Sequence, residues 1–217
     1  MKKYSVLIVI ALLFVGNLQA QLTFSTVTYN GEELNTIPRY SWGIPIEKKV
    51  KGKKEVLFTY GVTTNNLGII FEDTAGDRHK HRTWSIGPSG GIYFGLGKSL
   101  ILGASGTVSY NFHYKHKIFP NGERKDKIKN VQEWFSDKVE PFNLIPRFSI
   151  GLRDKFVIYG EYYLTGLFNK NYTDETTGFK PFEGFEITRF NIGISTDLNN
   201  KFVSNEEILE PENDVSL

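Results

Sequence analysis

Between residues 83 and 114 the chain carries one side chain of the Lys, Arg, Asp or Glu kind, Lys98, although such residues make up 23% of the whole. Within that stretch side chains alternate by twos. At 100–112, Leu100, Leu102, Ala104, Gly106, Val108, Tyr110 and Phe112 form one set, and Ile101, Gly103, Ser105, Thr107, Ser109 and Asn111 the other. Period two is the repeat of a β-strand, whose successive side chains point to opposite faces. A strand of a soluble sheet turns its second face to water and fills it with charged residues. Here the second face holds Gly, Ser, Thr and Asn instead. The pattern predicts an apolar face against lipid and a small polar face lining a narrow interior, because Lys or Arg at mid-bilayer on a barrel's outer face costs about 2–4 kcal/mol.

The same split recurs at 83–96, 142–152, 156–168, 56–64 and 190–198, in a shorter form at 40–44, and with poorer alternation at 22–29. Small sheets of this patterning close on themselves, since closure removes unpaired edges. The expected fold is all-β, an antiparallel transmembrane β-barrel of eight strands. Pro88 and Pro146 each remove a ladder donor and are expected at irregular spots or bulges. Gly97-Lys98-Ser99 and Arg153-Asp154-Lys155 read as tight turns and 47–54 as a modest one, whereas 65–82, 115–141 and 169–184 read as long polar loops. Short turns on one rim and long loops on the other predict a periplasmic and an extracellular side. Tyr110, Phe112 and Tyr114 at the loop end, with Phe94 and Phe156 at the turn end, read as interfacial girdles.

The ends have a different character. Lys2 and Lys3, the apolar run 6–16 and the polar stretch Asn17-Leu18-Gln19-Ala20 predict a secretory signal at 1–20, removed after Ala20. The barrel then spans 21–198, and 199–217 is an acidic periplasmic tail. Without Lys2 and Lys3, 24 basic residues balance 24 acidic ones, which argues against nucleic acid as a partner. The chain has no cysteine, which excludes disulfides, a thiolate nucleophile and Cys-ligated metal.

If even positions face lipid, charges within strands should be odd, and Arg39, Arg147, Glu161, Arg189 and Asp197 are. Pairing Leu152 with Phe156 across their turn sets Arg147 opposite Glu161, an ion pair inside a barrel that has room for side chains and little else. His79 and His81 enter one strand and His113 leaves its partner; extending the hairpin register places His81 diagonal to His113 on the inward face at the outer mouth. Imidazoles so placed are able to bind zinc or copper. RHKHR at 78–82 also reads as an ordinary solvated loop end, so no metal, cofactor or catalytic residue is assigned. Residues 125–139, with Ile128, Val131, Phe135 and Val139 at helical spacing, read as a short amphipathic helix lying over the mouth.

No GxSxG, HExxH or phosphate-binding glycine loop is present, so an enzyme is not expected. The leading expectation is a structural or interaction element of the outer membrane, in contact with its lipid and offering its loops to an envelope partner. The alternatives are a soluble lipocalin-like barrel binding an apolar ligand, a narrow-pore channel, and an outer-membrane enzyme with its site at the rim.

The signal ending in QAQ, the hairpin GIYFGLGKSLILGASGTVSYNFHYKHKIFPNGERKDK, the stretch EWFSDKVEPFN and the closing RFNIGISTDL together resemble the small outer-membrane β-barrel proteins common in Bacteroidota, grouped with porin-like or OmpA-like barrel domains. The resemblance spans the mature chain and implies insertion by the barrel-assembly machinery. Such barrels often end on an aromatic residue, whereas this last strand ends at Leu198.

Overall fold

A computed structural model describes residues 19–52, 55–97, 99–123, 129–152 and 156–195. The expected signal up to residue 18, Asp197 and the tail lie outside them. Ten strands are present among the described residues: β1 Gln19–Tyr29, β2 Glu32–Thr36, β3 Arg39–Lys51, β4 Val56–Glu72, β5 Arg78–Leu96, β6 Leu100–Phe119, β7 Lys129–Trp134, β8 Phe142–Leu152, β9 Phe156–Tyr162 and β10 Phe185–Ser195. All pairings are antiparallel. They close a ring that runs β1–β3–β4–β5–β6–β8–β9–β10 and back to β1. The remaining two strands extend broken staves upward: β2 continues the line of β3, and β7 that of β8, each pairing only near the loop end. Ten strands thus stand where the sequence pattern suggests eight.

The closing seam pairs Gln19 with Ser195 and continues in unbroken register to Tyr29 with Phe185. Every rung supplies partners to backbone N–H and C=O groups that would otherwise be stranded at an edge. Its first rungs lie at the expected cleavage point, Ala20 pairing with Ile194.

Sidedness follows the alternation. On the outer surface Phe148 is 72% exposed and Ile46 70%, with Val108, Ile150, Ile158 and Ile192 also exposed, while Ser85, Ser109, Asn143 and Asn191 are fully buried. The barrel is therefore inverted relative to a soluble one: apolar outside, polar within.

The wall is taller than the polar loops suggest. Residues 65–72 continue β4 and 78–82 begin β5, so the expected long loop at 65–82 shrinks to a turn at 73–77. Hairpin pairing holds polar side chains in a ladder as readily as apolar ones, which alternation of hydropathy alone does not reveal. Likewise the expected helix at 125–139 is strand β7 paired with β6 over 129–134, because the edge of β6 offers that stretch a ladder, and 135–139 is a turn ending in the Val139 bridge. Residues 125–128 lie outside the described residues. The ninth strand is shorter than expected, ending at Tyr162, and Phe168 turns inward.

One irregularity governs the outer half. The β5–β6 register pairs Ser85 with Asn111 but Trp84 with His113, leaving Phe112 as an extra residue. Such a bulge reverses the facing of everything beyond it on the bulged strand. Above it Tyr114 and His116 point inward and His113, Lys115 and Lys117 outward, so Tyr114 is buried rather than part of a girdle. Neither Pro88 nor Pro146 makes a bulge, and they pair with Val62 and Gly106 on one side; on the other side the ladder is irregular as expected, the β5–β6 pairing skipping Gly87 and Pro88 and the β8–β9 pairing stopping at Arg147. Two glycines permit close approach of neighbouring staves. A Cβ on Gly87 would lie 1.9 Å from the Val108 carbonyl oxygen, and one on Gly68, at φ +154°, 2.1 Å from that of His81.

Closure is testable because the chain has no native cysteine. Oxidation of the Leu22→Cys/Ile192→Cys variant, which substitutes opposite positions of the seam, is expected to link the ends and shift gel mobility. A chain that stays reduced, as an open sheet would, contradicts the ring.

Candidate functional site

Two polar groupings occupy the interior. The lower one is built from inward positions of β1, β8, β9 and β10, which alternation forces to the same side. Arg147 Nε donates to Glu161 Oε1 at 2.8 Å, and its Nη2 to Gln19 Oε1 at 2.7 Å. Arg147 and Glu161 are direct cross-strand partners, as their distance from the turn implies. Asn191 Nδ2 donates to Glu161 Oε2 at 2.9 Å and to the Tyr163 hydroxyl at 2.7 Å. Arg189 lies over the Tyr163 ring at 4.4 Å and donates to Asn143 Oδ1 and to the carbonyls of Thr165 and Gly166. Arg147 similarly covers Tyr159 at 4.3 Å. Arg39, also inward, donates to Ser41 Oγ at 3.1 Å and to Asn66. Toward the turn end a cavity of about 50 Å³ remains, lined by Gln19, Glu47, Lys49, Tyr93, Arg147 and Tyr159 among others. That volume holds a few waters at most.

Removing one member of a buried ion pair leaves an uncompensated charge, at a cost of about 3–5 kcal/mol. Glu161→Gln is expected to lower resistance to urea by an amount of that order without raising current across planar bilayers. A large steady conductance from this variant would show that the pair blocks a pathway.

The upper grouping lies at the outer mouth. His79 and His81, two apart on β5, both face inward, and the bulge brings His116 of β6 opposite His81. The His81 and His116 rings stack at 3.9 Å between centroids, and His79 lies 5.3 Å from His116. Phe71 of β4 stacks beside His79 and His81 at 5.2 and 5.5 Å, and Phe168 meets His81 edge-on at 4.8 Å. One ring nitrogen from each of the three histidines lies within 4.8 Å of the others. His113, the third histidine of the sequence reading, is elsewhere. It faces outward, edge-on to Trp134 at 4.8 Å, because the extra Phe112 reverses its side.

A signal for His116 was present in the charges. Setting the outward Arg78, Lys80 and Arg82 against Lys115 and Lys117, rather than extending the lower register, requires a one-residue shift, and that shift aligns His81 with His116.

Level with the histidines and just below them, an apolar cluster of Val27, Leu34, Ile69, Phe71, Tyr114, Val139, Leu167 and Phe168 closes the mouth, Ile69 pairing with His81, Phe71 with His79, and Tyr114 with Thr83 one inward position deeper. Two loops clasp over it: Val139 bridges Phe168, flanked by hydrogen bonds from Glu140 N to Leu167 O and from Asn169 N to Lys138 O. Burial, and secondarily the facing His116 and His79, hold the His81 imidazole well below the ordinary histidine range. The unfolded chain therefore takes up a proton below about pH 6.5 that folded His81 refuses, and stability falls as pH drops through that point, by up to about 1.4 kcal/mol per unit for one proton. Protease resistance of the clasped loops is expected to weaken between about pH 6.5 and 5, and less so in His81→Gln. An identical acid response in that variant would assign the loss to other groups.

No family model matches the sequence, and no curated protein matches it. Among solved structures the chain is similar to Ail, the attachment invasion locus protein of Yersinia pestis, at 11% identity and TM-score 0.40, covering 83% of this chain and 95% of that one; that structure is a complex with the heparin analogue sucrose octasulfate. A second Ail structure gives 13% identity and TM-score 0.39 over the same shares. The translocator domain of autotransporter NalP from Neisseria meningitidis matches at 11% identity and TM-score 0.18, covering 89% of this chain and 95% of that one. The barrel itself rests on the chain's own strand ladder.

Proposed function

We propose that this chain is an integral outer-membrane β-barrel, of the porin-like or OmpA-like kind its sequence resembles in Bacteroidota, with a filled lumen and a structural or contact role. The carrying observation is the outward apolar band on a closed ring. From Trp84 to Leu96 the outward set of β5 climbs about 40 Å of strand, or about 28 Å along the axis at a tilt of about 45°, close to the height of a bilayer's hydrocarbon core. Above it the outward residues change within one rung to Arg82, Lys80 and Arg78, across from Lys115 and Lys117, the charge sign that suits anionic headgroups. A contiguous apolar girdle of this size is a liability in water. In lipid it is the source of stability, and the closed ladder satisfies the backbone that hydrocarbon cannot.

In this reading the leader at 1–20 directs export, its removal takes Gln19 and Ala20 from the first two rungs of the seam and Gln19 from Arg147, the barrel-assembly machinery inserts the chain, and the clasped loops with the basic rim meet whatever approaches from outside. The buried Arg147–Glu161–Asn191 network and the small cavity favour a plugged lumen over a narrow-pore channel. The inward placement of the polar set, in place of an apolar cavity, weighs against a lipocalin-like carrier. No catalytic step is part of this proposal.

Phe148→Arg tests the placement directly. In a bilayer the substitution at an exposed mid-strand position is expected to cost about 2–4 kcal/mol of folding stability in phospholipid vesicles. A barrel wetted by water would lose nothing and gain solubility. Retention of the unsubstituted mature chain in the aqueous phase without detergent would equally overturn the proposal.

A further inference from the structure

The geometry points to a divalent transition-metal site of the Zn²⁺ or Cu²⁺ class at the outer mouth, with His79, His81 and His116 as ligands. Three neutral imidazoles suit these ions. More telling is what the other ring nitrogens do. His79 Nε2 donates to Asp73 Oδ2 at 3.0 Å, while its Nδ1 lies 3.2 Å from His116 Nε2. His81 Nδ1 lies 2.8 Å from the Tyr114 hydroxyl, which leaves Nε2 as its ligand atom. Metal-bound histidines characteristically give their second N–H to a carboxylate or another oxygen that fixes tautomer and ring direction. Asp73, itself anchored by the backbone N–H groups of Ala75 and Asp77, and Tyr114 occupy those positions.

The three nitrogens lie within 4.8 Å of one another, whereas a tetrahedral ion with bonds of about 2.0–2.1 Å holds its ligands about 3.4 Å apart. Closing that gap of about 1.4 Å requires the imidazoles to turn out of the stack they form here, so that their in-plane lone pairs converge on one point. Arg78, Arg82, Lys80, Lys115 and Lys117 stand on the opposite side of the wall, facing outward, and Phe71, Phe168 and Tyr114 screen the site within. Three protein ligands leave a coordination position for water or for a donor from another molecule. A bound ion would also tie β5 to β6 beside the apolar cluster.

The test is calorimetric titration of the refolded, chelator-treated chain in detergent with ZnCl₂, joined by electron paramagnetic resonance of the Cu²⁺-loaded protein. One ion per chain is expected, with hyperfine structure from three nitrogens. His116→Gln should weaken uptake at least about tenfold, and Asp73→Asn about 10–100-fold, while His113→Gln leaves it unchanged; heat-dependent gel mobility reports that each variant is folded. Absence of stoichiometric uptake, a Cu²⁺ signal with fewer than three nitrogens, unaltered affinity in folded His116→Gln, or loss in folded His113→Gln would overturn the site. Unaltered affinity in Asp73→Asn would overturn the role given to that carboxylate. These readouts do not depend on which solvent wets the outer face, so their failure is separate from that of the membrane placement.

Discussion

Everything in this structure depends on closure of one hydrogen-bonded ladder. The seam between the first and last strands, Gln19–Tyr29 against Phe185–Ser195, converts a sheet with two unsatisfied edges into a ring with none. Only then is it permissible for the outer face to be apolar from turn to rim, because no backbone group is left asking for water. The interior follows from the same condition. Once the apolar side chains are committed outward, alternation sends Gln19, Asn143, Arg147, Glu161, Arg189 and Asn191 inward, where they hydrogen-bond one another.

A buried ion pair is weak evidence of stability in a soluble core, where apolar replacements often do as well. Inside this barrel the comparison is different. The lumen is already polar, and Arg147 meets Glu161, Gln19 and the Tyr159 ring at once. The network therefore fills space and fixes cross-strand register in the lower half, while the apolar cluster around Phe168 and Leu167 performs that service at the mouth. Two different kinds of packing close the two ends.

Much of the lower half was legible because hydropathy alternates there without interruption. The facing of Val108 and Ser109 and the Arg147–Glu161 pairing both follow from period two and a turn length; the expected tight turns at Lys98 and 153–155 lie outside the described residues. The upper half was less legible, for three physical reasons. Polar rungs such as Asn65 and Asn66 carry no hydropathy signal although they are laddered. Residues 125–139 have helical spacing of apolar residues, yet the edge of the neighbouring strand wins Lys129–Trp134 for the sheet. And a single supernumerary residue, Phe112, exchanges inside for outside beyond it, so a correct lower register selects His113 where the molecule presents His116.

That last feature lets the protein obey two sets of rules along one hairpin. Below Phe112 both strands answer to the membrane; above it β6 is shifted by one residue against β5, which sets Lys115 and Lys117 outward and His116 inward to match its partner. A single-codon deletion at that point would turn Tyr114 and His116 outward and Lys115 and Lys117 inward while leaving β5 and the girdle untouched, so the contribution of β6 to the mouth can be rewritten by evolution independently of the anchor that holds it in place.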